Sequence, residues 1–374
     1  ETDSLDLSGT DLTGEISPEI GHLTNLTFLE LSQNQLTGEI PTEIGNLINL
    51  KWLSLWENQL TGNIPESIWD LILLENLDLG ANQLAGSIPP EIGNLINLQK
   101  LFLDNSQFTG EIPPEIGNLV NLVGLYLHNN QLTGEIPSEI GNLINQGWLV
   151  LSGNELTGEI PSEIWNLTNL RALYLSNNQF TGSIHSDIGN LADLQRIVMH
   201  SNQFTGPIPS EIGNLTNLVR LKLHSNQLTG PIPETLCNLS NLTWSLEDSS
   251  YSVSTLYGNQ LCSPYPSCVE DYVGEQDSAN CEQVSIIDET LPRAYNLHNA
   301  YPNPFNPFTT LHYDLPENAN VNIIIYDMMG RQISTLVNSQ QTAGYKSVRW
   351  NATNDAGEPV SAGLYLYTIQ AVDF

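Results

Sequence analysis

The chain has 374 residues and a formal net charge of -32, from 42 acidic and only 10 basic residues. Such a surface repels phosphate, which argues against nucleic acid and anionic membranes as partners. No apolar run reaches the length of a membrane span, and the length leaves room for more than one domain.

The first residues, ETDSLDLSG, are not a signal peptide and begin almost inside a repeat. We therefore expect a preceding segment with any export signal. From Leu26 to Asn49 the chain reads LTFLELSQNQLTGEIPTEIGNLIN. The same 24-residue pattern restarts at Leu50, Leu74, Leu98, Leu122, Gln146, Leu170, Leu194 and Leu218. With a first copy from Thr2, ten copies fill residues 1–241 without insertion.

Inside one copy, alternation predicts a short strand with Leu29 and Leu31 on one side and Phe28, Glu30 and Ser32 on the other. Leu36, Ile40, Ile44 and Leu47 must fold back onto the leucines. Gly38 permits the turn and Pro41 ends the strand that follows. Seven apolar side chains cannot offset the ordering of 24 residues, so one copy cannot fold alone and the array must be a stacked solenoid. Gln146 breaks the first leucine column and predicts a local defect or an exposed edge. Trp69 and Trp165 replace the glycine of I-G-N-L, away from the strands, where surface packing is expected.

The L-x-x-L-x-L-x-x-N-x-L-T-G-x-I-P pattern resembles the leucine-rich repeat, and its L-T-G-x-I-P element the plant-type subclass. The glycine recurs in every copy from Gly14 to Gly230. The proline is replaced by Ser17 and His185, and the asparagine by Thr10 and Ser106. The resemblance implies an α/β right-handed solenoid, with short parallel β-strands on the concave face and a 3-10 or irregular convex side. It also implies that the asparagines form a hydrogen-bonded ladder, of which Ser106 can make only part.

Residues 242–285 break the period. NLTWSLEDSS starts as an eleventh copy, and the G-N-Q-L-C stretch resembles the C-terminal caps of plant extracellular leucine-rich repeats. A terminal cap must cover an apolar face. All four cysteines, Cys237, Cys262, Cys268 and Cys281, cluster here, which favours disulfides and an oxidising compartment over a four-thiolate zinc site, since no C-x-x-C pair occurs. Three pairings are open; Cys237–Cys262 with Cys268–Cys281 is preferred. Asp271, Glu275 and Asp277 lack calcium-loop spacing and read as a solvated acidic loop.

Residues 286–300 read as a linker. From Tyr301 to Phe374, strand-like runs at 310–313, 321–326, 332–336, 347–350 and 364–369 alternate with turn signals, which predicts a small antiparallel β-sandwich. YPNPFNPFTTLHYDLP, NIIIYDMMGR and WNATNDAGEPVSAGLYLY resemble the C-terminal sorting domain of bacterial type IX secretion, akin to the immunoglobulin-like domain of a flagellar hook-capping protein. The resemblance implies export to the outer surface of a bacterium, with that secretion machinery as a partner. The family continues past the Y-x-Y-x-I strand, so we expect a further segment beyond Phe374.

Function should lie where copies differ. One exposed strand column reads Ser4, Phe28, Trp52, Asn76, Lys100, Gly124, Trp148, Ala172, Arg196, Arg220; the next contains Phe102, Tyr126, Tyr174 and Lys222; the third contains Trp56, His128, His200 and His224. Phe28, Trp52, Trp56, Phe102, Tyr126, Trp148 and Tyr174 gather over the first three quarters. Arg196, Arg220 and Lys222, with Lys100 earlier, place four of the ten cations on this one face. Aromatic faces can stack on sugars or peptide side chains, and the cations can grip carboxylate or sulfate. The competing reading is cross-strand packing that needs no ligand.

His200 and His224 are column neighbours, but no third metal ligand is evident, and a solvated pair is expected. No cofactor is implied, and no nucleophile–base pair, H-E-x-x-H or phosphate loop occurs. The sequons at Asn25, Asn166, Asn214, Asn238, Asn241 and Asn351 come mostly from the repeated N-L-T-N. These readings predict a secreted or surface-displayed binding protein for a protein, peptide or polysaccharide. The alternative is a structural or adhesive spacer, and an enzyme acting on such polymers is a distant third.

Overall fold

The computed structural model describes residues 3–248, 252–281, 295–297, 309–360 and 363–371. It divides into two compact units, Glu1–Glu282 and Gln283–Phe374. The expected linker, apart from 295–297, the YPNPFNPF segment and the last three residues lie outside the described residues.

In the first unit ten three-residue strands pair in parallel in chain order, from Ser4–Asp6 through Phe28–Glu30 to Arg220–Lys222. The register aligns equivalent positions, Phe28 with Trp52 and Arg196 with Arg220. The columns of the sequence are therefore rows of neighbouring side chains in space. A second parallel sheet, unanticipated from the sequence, is formed by the N-x-L-T-G segments, such as Gln35–Glu39 and Gln59–Asn63. Gly38 has φ of +76°, and a Cβ there would meet Glu15 Cγ at 2.8 Å, so the turn requires glycine. Each copy then crosses the convex side in a 3-10 turn such as Thr42–Asn46, entered from extended Pro41 and closed by Leu47 N–H on Ile44 O at 3.0 Å.

The repeated leucines and isoleucines form one continuous core. Trp69 and Trp165 belong to it, with exposures of 1 % and 2 %, which corrects the surface role expected for them. Where glycine stands at this position, the next turn closes in: a Cβ on Gly45 would lie 2.3 Å from Ser67 Cβ. The turns holding the two tryptophans pack less closely on their successors, and the indoles fill that gap. Gln146 is likewise not an exposed edge. It is fully buried, its Nε2 donating to Trp148 O at 2.7 Å while Oε1 has no partner among the described residues. The defect is a polar atom in a leucine site.

The asparagine ladder forms as the resemblance implies. Asn34 Nδ2 donates to Leu7 O and Leu31 O, and its Oδ1 accepts from Leu12 N–H. Ser106 makes no side-chain hydrogen bond to this ladder; its buried hydroxyl lacks a partner among the described residues. Beyond the tenth copy the ladder continues. Asn259 accepts from Leu228 N–H and donates to Leu223 O. Gln276 then accepts from Leu261 N–H and donates to Leu256 O and Val273 O. The cap is thus a further coil carrying an insertion, closed by a glutamine in the asparagine's role.

The disulfides are Cys237–Cys268 and Cys262–Cys281, not the preferred pairing. Cys237 and Cys268 are 31 residues apart, the same step that separates Thr229 from Gln260 across the last strand pair. The first bridge therefore ties one coil to the next. Cys262 sits beside Pro231 in that strand pair, away from the convex turn that holds Cys237.

The second unit holds two three-stranded antiparallel sheets, one built on Thr309–Leu315 and the other on Ala319–Asp327. Leu311, Tyr313, Val321, Ile323, Ile325 and Trp350 make its core. Asn296–Leu297, read as linker, instead pairs as a strand with Tyr313 and Asp314.

Candidate functional site

Toward its N-terminal end the concave face is an aromatic and acidic surface. Phe28 stacks on Trp52 with ring centres 5.5 Å apart, and Phe102 on Tyr126 at 4.4 Å. Tyr126 lies over the bare backbone of Gly124, where a Cβ would meet its ring at 2.8 Å. Trp52 Nε1 donates to Glu30 Oε2 at 2.8 Å, and the Arg171 guanidinium lies 5.8 Å from the Trp148 ring centre. The predicted aromatics thus pack partly on one another, yet Phe28, Trp52, Trp56, Phe102, Tyr126, Trp148 and Tyr174 all remain partly open to solvent.

Carboxylates on the same strands were not singled out from the sequence. Burial pushes the Asp78 carboxyl up to about 7; the charges of Asp104 and Glu30 add to this, against the Gly80 N–H bond. Asp104 is buried, accepts from Asn105 Nδ2 at 2.6 Å and lies 3.6 Å from His128 Nε2. A cation arriving here would meet carboxylates short of counter-charge. Their signal in the sequence was two acidic residues in adjacent copies, hidden by the abundance of Asp and Glu.

At the C-terminal end the predicted cations differ in access. Lys100, set earlier, is exposed and Arg196 is half-buried, with no partner for its Nε among the described residues. Arg220 and Lys222 are 4 % and 6 % exposed. Arg220 Nη1 donates to Tyr174 Oη at 3.1 Å, across two strands. Lys222 Nζ pairs with Asp248, which the cap insertion brings back over the face. Those two cations are thus engaged within the protein rather than standing open to ligand.

The histidine pair is not solvated as expected. His224 is 4 % exposed and stacks between His200, at 4.2 Å, and Tyr257, at 4.5 Å. Burial, with the neighbouring His200 and Lys222, lowers its imidazole to about 4 despite Asp248, so it is neutral at pH 7. Burial would raise Asp248, but the Lys222 hydrogen bond and charge outweigh it and hold that carboxyl below its ordinary value. Among the described residues, His200, His224 and Asp248 form a three-residue group whose potential ligand atoms lie within 4.8 Å of one another.

A family described as the leucine-rich repeat region matches residues 4–125 and 114–255, and the FlgD Ig-like domain matches residues 308–373. A search of the curated proteins found no match. Among solved structures, the plant peptide hormone receptor RGFR1 in complex with RGF2 is 40% identical with a TM-score of 0.63, covering 67% of this chain and 38% of its own. The Arabidopsis receptor kinase HAESA, with the peptide hormone IDA and co-receptor SERK1, is 29% identical with a TM-score of 0.65, covering 73% and 49%. A plant ice-binding protein is 30% identical with a TM-score of 0.56, covering 72% and 81%. The chain thus spans less than half of each of these two receptors.

Proposed function

The chain belongs to the leucine-rich repeat family, and from that premise we propose that its concave face captures an extended peptide outside the cell. The observation that carries this reading is the polarity of that face. Aromatic rings and the carboxylates of Asp78 and Asp104 line its N-terminal part, and the half-buried side chain of Arg196 stands toward the other end. An extended chain would lie across the strands, with apolar side chains against Trp52, Trp56 and Phe102, a cation near Asp78 and a carboxylate at Arg196. Two receptors with this fold have peptide hormones bound in their structures, which supports the class of ligand.

The two disulfides fit an extracellular location. Among the described residues no helix is long and apolar enough to cross a membrane. For the C-terminal sandwich the reading is export through bacterial type IX secretion; the FlgD Ig-like match supports only its fold. Screening immobilised protein against peptide and glycan arrays tests the face directly. Peptides retained by the native chain and lost by both Trp52→Ala/Trp56→Ala and Arg196→Glu support the proposal; retention by both variants sinks it.

A second reading attaches to the other sheet. The ice-binding relative is the one of the three whose own length the chain nearly spans. The lateral strands present Thr13, Thr37 and Thr109 to solvent from equivalent positions of the rigid array. Thermal hysteresis in the native chain, abolished by Thr37→Lys, would favour that reading over peptide capture.

A further inference from the structure

We propose that His200, His224 and Asp248 form a binding site for a late first-row divalent cation, with zinc the best match. His200 and His224 each follow by two residues the aligned pair Val198 and Lys222, so the 24-residue step sets one imidazole over the other. Asp248 comes from outside the repeat, in the insertion that distinguishes the cap. One ligand atom from each of the three lies within 4.8 Å of the others, and His224 Nε2 stands 3.9 Å from Asp248 Oδ2. This closeness is a product of folding: the carboxylate lies 24 residues beyond His224, in a segment that does not follow the repeat's path.

The donor set decides the class of metal. Two imidazoles and one carboxylate suit zinc, copper or nickel, whereas calcium and magnesium take oxygen ligands. Three protein ligands also leave a fourth position of a tetrahedral ion for water or a ligand group. The surroundings orient the rings. His224 Nδ1 lies 2.6 Å from Thr255 Oγ1, and His200 Nδ1 lies 3.1 Å from Ser201 Oγ. A hydroxyl that accepts the Nδ1 proton leaves the Nε2 lone pair for a metal, which is the role outer partners play around ligating histidines. The strongly negative chain raises the cation concentration at its surface.

Two adjustments accompany binding. The imidazoles are within 10° of parallel, so one must tilt for both lone pairs to converge. Asp248 must exchange the Lys222 ammonium for the ion. Its side chain is 29% exposed, which leaves it room to turn.

Isothermal titration of the metal-free full chain with zinc tests the site, with cobalt absorption as a second readout. Saturable binding of one equivalent is expected, with the visible bands of tetrahedral cobalt. His200→Ala and Asp248→Asn should each weaken zinc by more than about tenfold while retaining the native circular dichroism spectrum. Lys222→Met removes the competing ammonium and should tighten it. Absence of saturable binding overturns the proposal. So does binding that His200→Ala and Asp248→Asn leave unchanged, since the ion would then sit among the other carboxylates.

Discussion

The N-terminal part of the concave face and its C-terminal end are built by different means. The first is assembled from positions a fixed 24 residues apart, so Phe28 meets Trp52 and Phe102 meets Tyr126 through strand register alone. The second depends on contacts that leave the period: Lys222 with Asp248, His224 with Thr255 and Tyr257. A repeat array makes an open surface by default. An irregular insertion is what closes part of it.

If the C-terminal end depends on the cap, loosening the cap should damage it first. Replacing Cys237 and Cys268 by serine removes a 31-residue link and should cost about 3–4 kcal/mol in urea unfolding. The loss should appear as earlier exchange of amide hydrogens around Lys222, with the Phe28–Tyr126 strands holding. Uniform loss along the array would break the contrast. Asp248→Ala leaves the buried Lys222 ammonium without its carboxylate and should cost about 1–3 kcal/mol, tempered by the exposure of Asp248. Glu30→Gln, on the open half, should cost only a few tenths.

The acidic half should announce itself through pH. Asp78 has a folded pKa raised to about 7 from 3.8, so between those values the folded chain holds a proton that the unfolded chain has released. Stability should therefore fall as pH rises from about 4 to about 7, then level off. Asp78→Asn should remove that slope and stabilise the chain at pH 8 by about 1–2 kcal/mol, after screening of a half-buried group. An unchanged slope in thermal melts of the variant would show that other groups carry it. Effects of opposite sign belong to the ladder and the core. Gln146→Leu and Ser106→Asn should each stabilise by about 1 kcal/mol, by removing or pairing a buried polar atom.

The array was legible because its period is both a chemical and a geometric repeat. The strand columns and the leucine core follow from one copy, and the asparagine ladder from the family resemblance that the copy carries. Where one copy departs from the rest, the sequence marks the position without saying what becomes of it. Trp69 and Trp165 looked like surface residues because they lie away from the strands, yet the gap between turns takes the indole inward. Gln146 read as a local defect or an exposed edge, and it is the defect: it is fully buried with its Oε1 unpaired among the described residues. Arg220 and Lys222 stood in the correct columns, but Arg220 reaches Tyr174 across two strands and Lys222 pairs with Asp248 from outside the columns.

The sequence by itself determined that the 24-residue copies stack, which side chains share a face and in what order, and that a separate antiparallel β region follows. Tertiary structure alone decided the disulfide partners, the coil completed by Asn259 and Gln276, and the closing of the face by Asp248. The physical reason is periodicity. Within the array each residue's neighbours sit one fixed step away, so sequence distance is spatial distance. Beyond Asn241 that step is lost, and only the folded path of the chain says which groups meet.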